Sequence, residues 1–328
     1  MKKRYKILIA VITVYILFSL YAYYAYKSSL GDWKIEIPVE TEINWADFIW
    51  TNRTINGKYF ERTAMFIPCR MVGIDNNLTF QFDTGSNRTM IYENPLSSFY
   101  FQNKKLSEQV SQMKFPINKL ASDKKVFKNA KIKFGDYTIS NERASMMTNL
   151  NRAASEESVI AGDTIHLGTI GADIFKDKVL IIDYPNLKFA ITDEIPRRYK
   201  DGLIDIEINS NGRPVLPLKM NSNEYKIIFD NGSSLFPIIA TSENINKFST
   251  NPIIDSLEIN SWGKKHTVHS RIITDTFEIA GRKFANVEAY ENHTGYGIDE
   301  STDGMTGNAL FWDSTIIIDF KNKKFGLK

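Results

Sequence analysis

The feature of this 328-residue chain that most constrains its fold is a segment that occurs twice, once in each half. In both copies a largely apolar run leads into an Asp-x-Gly-Ser turn, and a second apolar run follows. Apolar runs of this length, broken by Asp and Gly, are typical of a strand, a tight turn and another strand. The copies are Leu78–Phe82, Asp83–Ser86 and Thr89–Ile91, then Tyr225–Phe229, Asp230–Ser233 and Phe236–Ile239.

Each copy is followed by a second pair of similar blocks. GADIFKDKVLIIDYPNLKF begins at Gly171, and GNALFWDSTIIIDFKNKKF begins at Gly307. Both blocks contain the pattern Asp-aromatic-x-Asn-x-Lys-Phe, which starts at Asp183 in one and at Asp319 in the other. Asp and Asn in such a pattern predict a turn between two strands, so we expect structural roles for these two aspartates. A repeated order of elements indicates an internal duplication, and the sequence predicts an all-β fold of two similar lobes.

Three further segments predict β-hairpins. Two lie around Gly135 and Gly281, and the third is Ile259–Val268, with Trp262 and Gly263 near its turn. We place the N-terminal lobe at residues 58–195 and the C-terminal lobe at residues 200–328.

The N-terminus predicts a membrane anchor. Residues 7–26 carry no charge and are long enough as a helix to cross a hydrocarbon core of about 30 Å. Basic residues precede this segment, so we expect residues 1–6 in the cytoplasm and the lobes in the periplasm or outside the cell. We interpret residues 27–57 as a tether and lead-in to the first lobe. A cleaved signal peptide is the alternative, but its apolar part is usually shorter and ends at a small-x-small site. The basic residues are Lys2, Lys3, Arg4 and Lys6.

The composition excludes several classes of protein. With 43% hydrophobic and 24% charged residues the chain can bury a core, which excludes disorder. The net charge is +3, and four of the positive charges precede the apolar segment. The remainder is nearly neutral, so we expect no nucleic-acid partner.

Metal and thiol chemistry are also not expected. The single cysteine, Cys69, lies in a strand pattern and is predicted to be a small core residue, and alone it can form neither an internal disulfide nor a thiolate zinc cluster. His266 and His269 are three apart in a predicted strand, so they point to opposite faces. We therefore predict no metal site and no cofactor.

The two Asp-x-Gly-Ser turns and their matching downstream blocks resemble the bilobal pepsin-like aspartic proteases, over about residues 58–328. The short lobes without disulfides also resemble retropepsin-like single-lobe proteases joined in tandem. The resemblance implies an aspartic endopeptidase with Asp83 and Asp230 as its catalytic pair, acting on peptide or protein substrates. The sequence does not reveal the oligomeric state, and we expect a monomer. Two carboxylates that face each other share one proton, so one can activate a water molecule while the other donates to the peptide carbonyl.

The neighbours of the two aspartates also match family positions. Gly85 and Gly232 let the backbone approach the carboxylates closely. The resemblance implies that Ser86 and Ser233 donate hydrogen bonds to the outer carboxylate oxygens. It leaves the flap unassigned, because no tyrosine stands in a convincing place between Asp83 and Gly135.

One position departs from the family pattern. Thr84 matches the hydroxyl that binds the backbone of the opposite lobe, but Asn231 stands where the family usually has Thr or Ser. An amide is larger and carries both donor and acceptor groups, so we expect this clasp between the lobes to be asymmetric or broken. The alternatives are therefore a catalytically impaired homologue that binds peptides without cleaving them, and a purely structural extracytoplasmic module.

Overall fold

The computed structural model describes residues 2–38, 43–112, 125–295 and 297–328, and this part of the chain is mostly β-strand. Its α-helices are α1 (Lys2–Ser29), α2 (Glu93–Ser97), α3 (Lys104–Gln109) and α4 (Glu156–Ile160). Short 3₁₀ turns span Ala172–Phe175, Arg197–Tyr199, Ile245–Lys247 and Asn308–Leu310. Within the described residues, none of the helices combines the length and the apolar character that crossing a membrane requires.

The strands are numbered in chain order. Those of the first half are β1 (Lys34–Glu36), β2 (Ala46–Asp47), β3 (Ile49–Ile55), β4 (Lys58–Met71), β5 (Ile74–Phe82), β6 (Met90–Tyr92), β7 (Val110–Gln112), β8 (Lys125–Phe134), β9 (Tyr137–Met147), β10 (Ile165–Ile170), β11 (Val179–Asp183) and β12 (Lys188–Thr192). Those of the second half are β13 (Ile204–Asp205), β14 (Glu207–Ile208), β15 (Pro214–Met220), β16 (Asn223–Phe229), β17 (Ile238–Thr241), β18 (Asp255–Ser261), β19 (Lys264–Ile273), β20 (Phe277–Ile279), β21 (Arg282–Phe284), β22 (Val287–Asn292), β23 (Gly304–Thr306), β24 (Thr315–Asp319) and β25 (Lys324–Leu327).

Each half contains one large sheet, and the central strands of the two sheets pair in the same order. In the first half β5 pairs parallel with β10, and β10 pairs antiparallel with β6. In the second half β16 pairs parallel with β23, and β23 pairs antiparallel with β17. The strands on either side of each Asp-x-Gly-Ser turn are therefore separated by a third strand. Each turn must pass over the end of that central strand, which brings it to one edge of its sheet.

A third sheet joins the two halves. Its order is β13-β25-β24-β11-β12-β2, and its centre is the antiparallel pair β11 and β24. In that pair Ile181 lies opposite Ile317, and both side chains are fully buried. The strands of this sheet come from both halves, so the relative position of the halves depends on main-chain hydrogen bonds as well as on side-chain packing.

The turns predicted within the two downstream blocks are confirmed. Between β11 and β12 the carboxylate of Asp183 accepts hydrogen bonds from the backbone and side-chain nitrogens of Asn186, at 3.2 and 2.9 Å. Between β24 and β25 the carboxylate of Asp319 accepts the same pair from Asn322, both at 2.8 Å. These aspartates close turns in the third sheet.

The predicted hairpins are also present. β8 and β9 meet at Gly135, β20 and β21 meet at Gly281, and β18 and β19 meet at Trp262 and Gly263. Trp262 and Gly263 both have positive φ angles, as a two-residue type I′ turn requires.

The segment 27–57, expected to be a tether and lead-in, takes part in the sheets from Lys34 onward. β1 pairs with β9, β2 pairs with β12, and β3 forms a long hairpin with β4. The folded body therefore begins well before residue 58, because backbone groups in this segment complete the edges of two sheets.

A cluster of aromatic rings lies under the first Asp-x-Gly-Ser turn. The Phe189 ring lies 5.2 Å from that of Phe82, 5.8 Å from that of Phe134 and 6.4 Å from that of Tyr137. All four side chains are fully buried. Phe82 immediately precedes Asp83, so this cluster supports the strand end that carries the aspartate.

We predict that Phe189→Ala lowers the free energy of unfolding by about 3–5 kcal/mol, because it removes a fully buried ring and leaves a cavity. Phe101→Ala is the matched control, since that ring is 47% exposed. Denaturant unfolding of both variants measures the difference. Equal stabilities for the two variants would contradict the packing described here.

Candidate active site

The two Asp-x-Gly-Ser turns meet between the halves. Asp83 follows β5, and its backbone N–H donates to the carbonyl of Ile170 at the end of β10, at 3.0 Å. Asp230 follows β16, and its N–H donates to Thr306 at the end of β23, at 2.9 Å. Equivalent backbone hydrogen bonds thus hold each aspartate beside the end of the central strand of its sheet, β10 in the first half and β23 in the second. The side chain of Asp83 is buried, and that of Asp230 is partly buried at the base of the cleft between the halves.

Each glycine of the two turns lies against the aspartate of the other half. A Cβ atom on Gly85 would lie 2.2 Å from Cγ of Asp230, and one on Gly232 would lie 2.4 Å from Cγ of Asp83. Any side chain at either position would displace the facing carboxylate. The backbone N–H groups of Gly85 and Gly232 both donate to Oδ1 of Asp230, at 3.0 and 2.8 Å. The two carboxyl groups therefore face each other across the junction.

A reciprocal pair of hydrogen bonds joins the turns beneath the carboxylates. The Thr84 N–H donates to Oδ1 of Asn231 at 2.5 Å, and the Asn231 N–H donates to Oγ1 of Thr84 at 3.2 Å. Both side chains are fully buried. The clasp is therefore intact, and its asymmetry is chemical, with a hydroxyl on one side and an amide on the other. The extra amide nitrogen of Asn231 lies 3.8 Å from Sδ of Met65, so the larger side chain is accommodated.

The surroundings favour a proton on Asp83. Burial raises the pKa of Asp83 well above its ordinary value, and the negative charge of Asp230 raises it further. Burial also raises the pKa of Asp230, but the N–H of Gly232 and the positive charge of Arg213 oppose this effect. The hydrogen bonds agree with this difference, because Oδ1 of Asp230 accepts two backbone N–H groups whereas Oδ1 of Asp83 accepts one.

The two serines of the turns act mainly through their backbones. The Ser86 N–H donates to Oδ1 of Asp83 at 2.8 Å, whereas its hydroxyl donates to the Arg88 carbonyl at 2.8 Å. A hydroxyl has one proton to donate, so the expected bond from this hydroxyl to a carboxylate is replaced by one within its own turn. The Ser233 N–H donates to the Asp230 carbonyl at 3.1 Å, and Ser233 lines the cleft.

The repeated downstream blocks hold these turns in place. The side-chain amide of Asn308 donates to the Asn231 carbonyl at 2.7 Å and to Oγ of Ser234 at 2.8 Å. It also accepts a hydrogen bond from the hydroxyl of Tyr184, at 2.5 Å. Tyr184 belongs to the first half, so this contact links the second turn to both halves. The sequence carried a signal for this role, because Asn308 directly follows the repeated glycine at 307.

Asp173 supports the first turn in a similar way. Its Oδ1 accepts hydrogen bonds from the N–H and the hydroxyl of Thr89, at 2.8 and 2.7 Å. Burial raises the pKa of Asp173 to about 6, although these two bonds oppose the shift. The Thr89 carbonyl accepts a hydrogen bond from the indole of Trp33 at 3.2 Å, which ties the lead-in segment to the turn.

A cleft of about 950 Å³ lies above the two aspartates, between hairpins from both halves. The β3–β4 hairpin of the first half crosses to β18, where Oδ1 of Asn56 accepts from the Glu258 N–H at 3.2 Å. Lys58 of the same hairpin forms an ion pair with Asp255 at 3.2 Å. The Asn-Gly pair at the tip, residues 56 and 57, is a hairpin signal that marks this element in the sequence. Of the flap region left unassigned between Asp83 and Gly135, residues 113–124 lie outside the described residues.

Arg213 is a residue of the cleft that sequence reasoning did not find. It is the last residue of the β14–β15 turn, directly before Pro214, and lines the cleft together with Asp230. Its Nη1 donates to the Gly297 carbonyl at 2.9 Å, while its Nε is buried and has no hydrogen-bond acceptor among the described residues. The contact depends on the packing of two distant segments, so no local pattern indicates it.

The remaining candidate side chains lie away from the two aspartates, although His266 lines the same cleft. Cys69 is buried in β4, and burial raises the pKa of its thiol, which disfavours the nucleophilic thiolate. On β19 the His266 side chain is buried, whereas His269 is partly exposed and its Nδ1 lies 2.7 Å from the Ser256 hydroxyl. No cluster of three or more metal-ligating side chains occurs within the described ranges.

A scan against models of protein families and a search of curated proteins each found no match to this chain.

We predict that Asn231→Ala lowers the free energy of unfolding by about 1–3 kcal/mol, because it leaves the buried Thr84 N–H without an acceptor. Asn231→Thr restores a side-chain oxygen at this position and is expected to be the more stable of the two variants. Asn87→Ala, an exposed position beside the other turn, is the control. Denaturant unfolding measures all three, and an Asn231→Ala variant as stable as the control would contradict the clasp.

Proposed function

We propose that this protein is an aspartic endopeptidase of the pepsin-like type, with two β-barrel lobes that arose by internal duplication. The single observation that carries the proposal is the reciprocal approach of the two turns, in which each glycine lies against the opposite carboxyl group. Two carboxylates held this close in a buried site cannot both ionise, so the pair carries one proton near neutral pH. A carboxylate and a carboxylic acid side by side are the base and the acid that peptide hydrolysis requires.

In the proposed reaction Asp230 is the general base. Two glycine N–H groups and the charge of Arg213 favour its ionised form. It removes a proton from a water molecule as the water oxygen attacks the carbonyl carbon of the scissile peptide. The C–O bond forms, and the carbonyl π electrons move to oxygen.

Asp83 is the general acid in the same step. Its proton stabilises the developing oxyanion, and the tetrahedral species then collapses with cleavage of the C–N bond. The proton that Asp230 accepted passes to the leaving amine, and the pair again holds one proton. No covalent intermediate forms, and the water oxygen ends in the new carboxyl group.

The cleft suits an extended polypeptide. It lies between the lobes, opens over the aspartates and has a volume of about 950 Å³. The intact clasp at Asn231 favours an active enzyme over the impaired peptide-binding homologue, because the substitution that raised that alternative keeps both hydrogen bonds between the turns.

We also propose that the N-terminal segment attaches the protein to a membrane, with the lobes outside the cytoplasm. The support is in the sequence, where twenty uncharged residues follow four basic ones. Basic residues next to an apolar segment favour the cytoplasmic side.

We predict that Asp83→Asn and Asp230→Asn each lower kcat/KM for peptide hydrolysis by about 10²–10⁴-fold, because each removes one half of the acid–base pair. Asp183→Asn is the matched control, since its carboxylate closes a turn away from the cleft and an amide oxygen can still accept the hydrogen bond of the Asn186 N–H. The assay follows cleavage of a mixed peptide library by the full chain in detergent, from acidic to neutral pH. Cleavage that persists in either cleft variant would contradict the mechanism, and peptide binding without cleavage in the unmodified protein would favour the alternative.

The raised pKa of Asp83 also predicts a dependence of stability on pH. The folded state binds the proton more tightly than the unfolded chain, in which an aspartate titrates at a pKa of about 3.9. The unmodified protein therefore loses stability as pH rises from this value through the raised pKa, whereas Asp83→Asn has no proton to lose at this position. We expect the stability of Asp83→Asn relative to the unmodified protein to increase with pH above about 4. Denaturant unfolding across pH 4–8 tests this, and a difference that stays flat or falls would contradict the assignment.

A further inference from the structure

We propose that the cleft selects acidic polypeptides and that Arg213 binds a substrate carboxylate next to the catalytic pair. This inference rests on the proposed function, because it names the substrate class of the same cleft. It is carried by the distribution of charge along the cleft and by the guanidinium of Arg213, which has donors left over after its hydrogen bond to Gly297.

The charged residues that line the cleft are mostly positive. Outside the two catalytic aspartates, the one acidic residue among the described lining is Glu258, which forms an ion pair with Lys265 at 2.8 Å. Burial lowers the pKa of the lining His166 to about 4, so this imidazole is neutral at higher pH. The positive residues of the lining are Arg53, Arg152 and Arg213. With one proton on the catalytic pair, the lining therefore carries three positive and two negative charges. Asp299 is a further acidic neighbour of Arg213, but its pKa is lowered first by hydrogen bonds from Ser301 and only then by the charge of Arg213.

Arg213 has donors to offer a ligand. Within the described chain, no carboxylate oxygen lies within 4.0 Å of its guanidinium. Its Nη2 donates no hydrogen bond among the described residues and, unlike Nε, is not one of the buried atoms, so it can donate to a ligand in the cleft. A guanidinium presents parallel N–H groups that match the two oxygens of a carboxylate. The contact from Nη1 to the Gly297 carbonyl holds the side chain at the cleft wall.

Arg53 and Arg152 are more exposed to solvent than Arg213. Both side chains are exposed at the cleft, where water screens their charge. Such charges raise the rate of encounter with an acidic partner more than they strengthen the final complex. We therefore assign selection of one substrate side chain to Arg213, and attraction of acidic segments to the other two arginines.

The charge of Arg213 also favours the ionised form of Asp230. An experiment must therefore distinguish this effect on the general base from binding of a substrate carboxylate. A role confined to Asp230 would change the hydrolysis of all peptides alike and would shift the pH profile of kcat/KM for each of them. A role in binding the substrate changes only the hydrolysis of peptides that carry a carboxylate at one position.

The test uses peptide pairs that differ by Glu or Gln at a single position, moved stepwise along both sides of the scissile bond. For the full chain in detergent, we expect at least one position at which Glu raises kcat/KM over Gln by about 10- to 100-fold. In Arg213→Met this preference is expected to disappear. Hydrolysis of the Glu peptides therefore falls by more than hydrolysis of the Gln peptides, which lose only the contribution of the Arg213 charge to Asp230. Arg213→Lys keeps the charge but loses the planar fork, so it is expected to recover part of the preference.

Arg197→Met is the matched control, because it removes an exposed arginine outside the cleft lining. It is expected to leave the preference for Glu unchanged. The inference is overturned if no position prefers Glu, or if Arg213→Met lowers hydrolysis of Glu and Gln peptides equally.

A binding measurement keeps the inference testable apart from catalysis. Fluorescence anisotropy of the same peptides is measured with Asp83→Asn and with the double variant Asp83→Asn, Arg213→Met. If the unmodified protein cleaves no peptide, the proposed function fails, while tighter binding of Glu than Gln peptides that is lost with Arg213 still supports the inference. Equal binding of the two peptides by Asp83→Asn overturns it.

Discussion

The reciprocal contact between the two Asp-x-Gly-Ser turns is the constraint on which the site depends. Each carboxyl group lies against a glycine of the other turn, and the backbone N–H groups of Thr84 and Asn231 each donate to the other residue's side-chain oxygen across the junction. These bonds are buried, so breaking them would leave polar groups without partners. The position of either aspartate is therefore defined only when both halves are folded and docked.

The rest of the structure supports this contact from below. The sheet shared by the halves pairs β11 with β24, and Tyr184 at the end of β11 reaches Asn308, which binds the second turn. The first turn is bound by Asp173 through Thr89. The repeated downstream blocks therefore support the two turns and close the shared sheet. The proposed chemistry uses only Asp83 and Asp230.

Local patterns predicted the elements well. Apolar runs indicated β5 and β16, and turn residues indicated the hairpins at Gly135, Trp262 and Gly281. The pattern at Asp183 correctly indicated a closed turn. Each of these features depends on residues close together in the chain, whose conformational preferences are strong.

Features that depend on distant segments were not predictable. Asn231 was expected to disturb the clasp, but its amide oxygen reaches the Thr84 N–H because the spacing of the turns leaves room beside Met65. The Ser86 hydroxyl donates to the Arg88 carbonyl within its own turn and not to a carboxylate. No sequence pattern specifies which of these two acceptors it takes. Arg213 enters the cleft through the packing of the β14–β15 turn against Gly297. Such contacts follow from tertiary packing, which overrides local preference.

The central claim is that one proton is shared by the two carboxyl groups and resides on Asp83. Infrared difference spectroscopy of the full chain against Asp83→Asn, at about pH 6, measures this most directly. An ordinary aspartate is ionised there, and Asp173, with its pKa of about 6, contributes to both spectra and cancels in the difference. We predict that the difference spectrum contains a protonated carboxyl band that belongs to the unmodified protein and is absent from Asp83→Asn. A spectrum in which that band is missing from the unmodified protein, or persists unchanged in the variant, would contradict this claim.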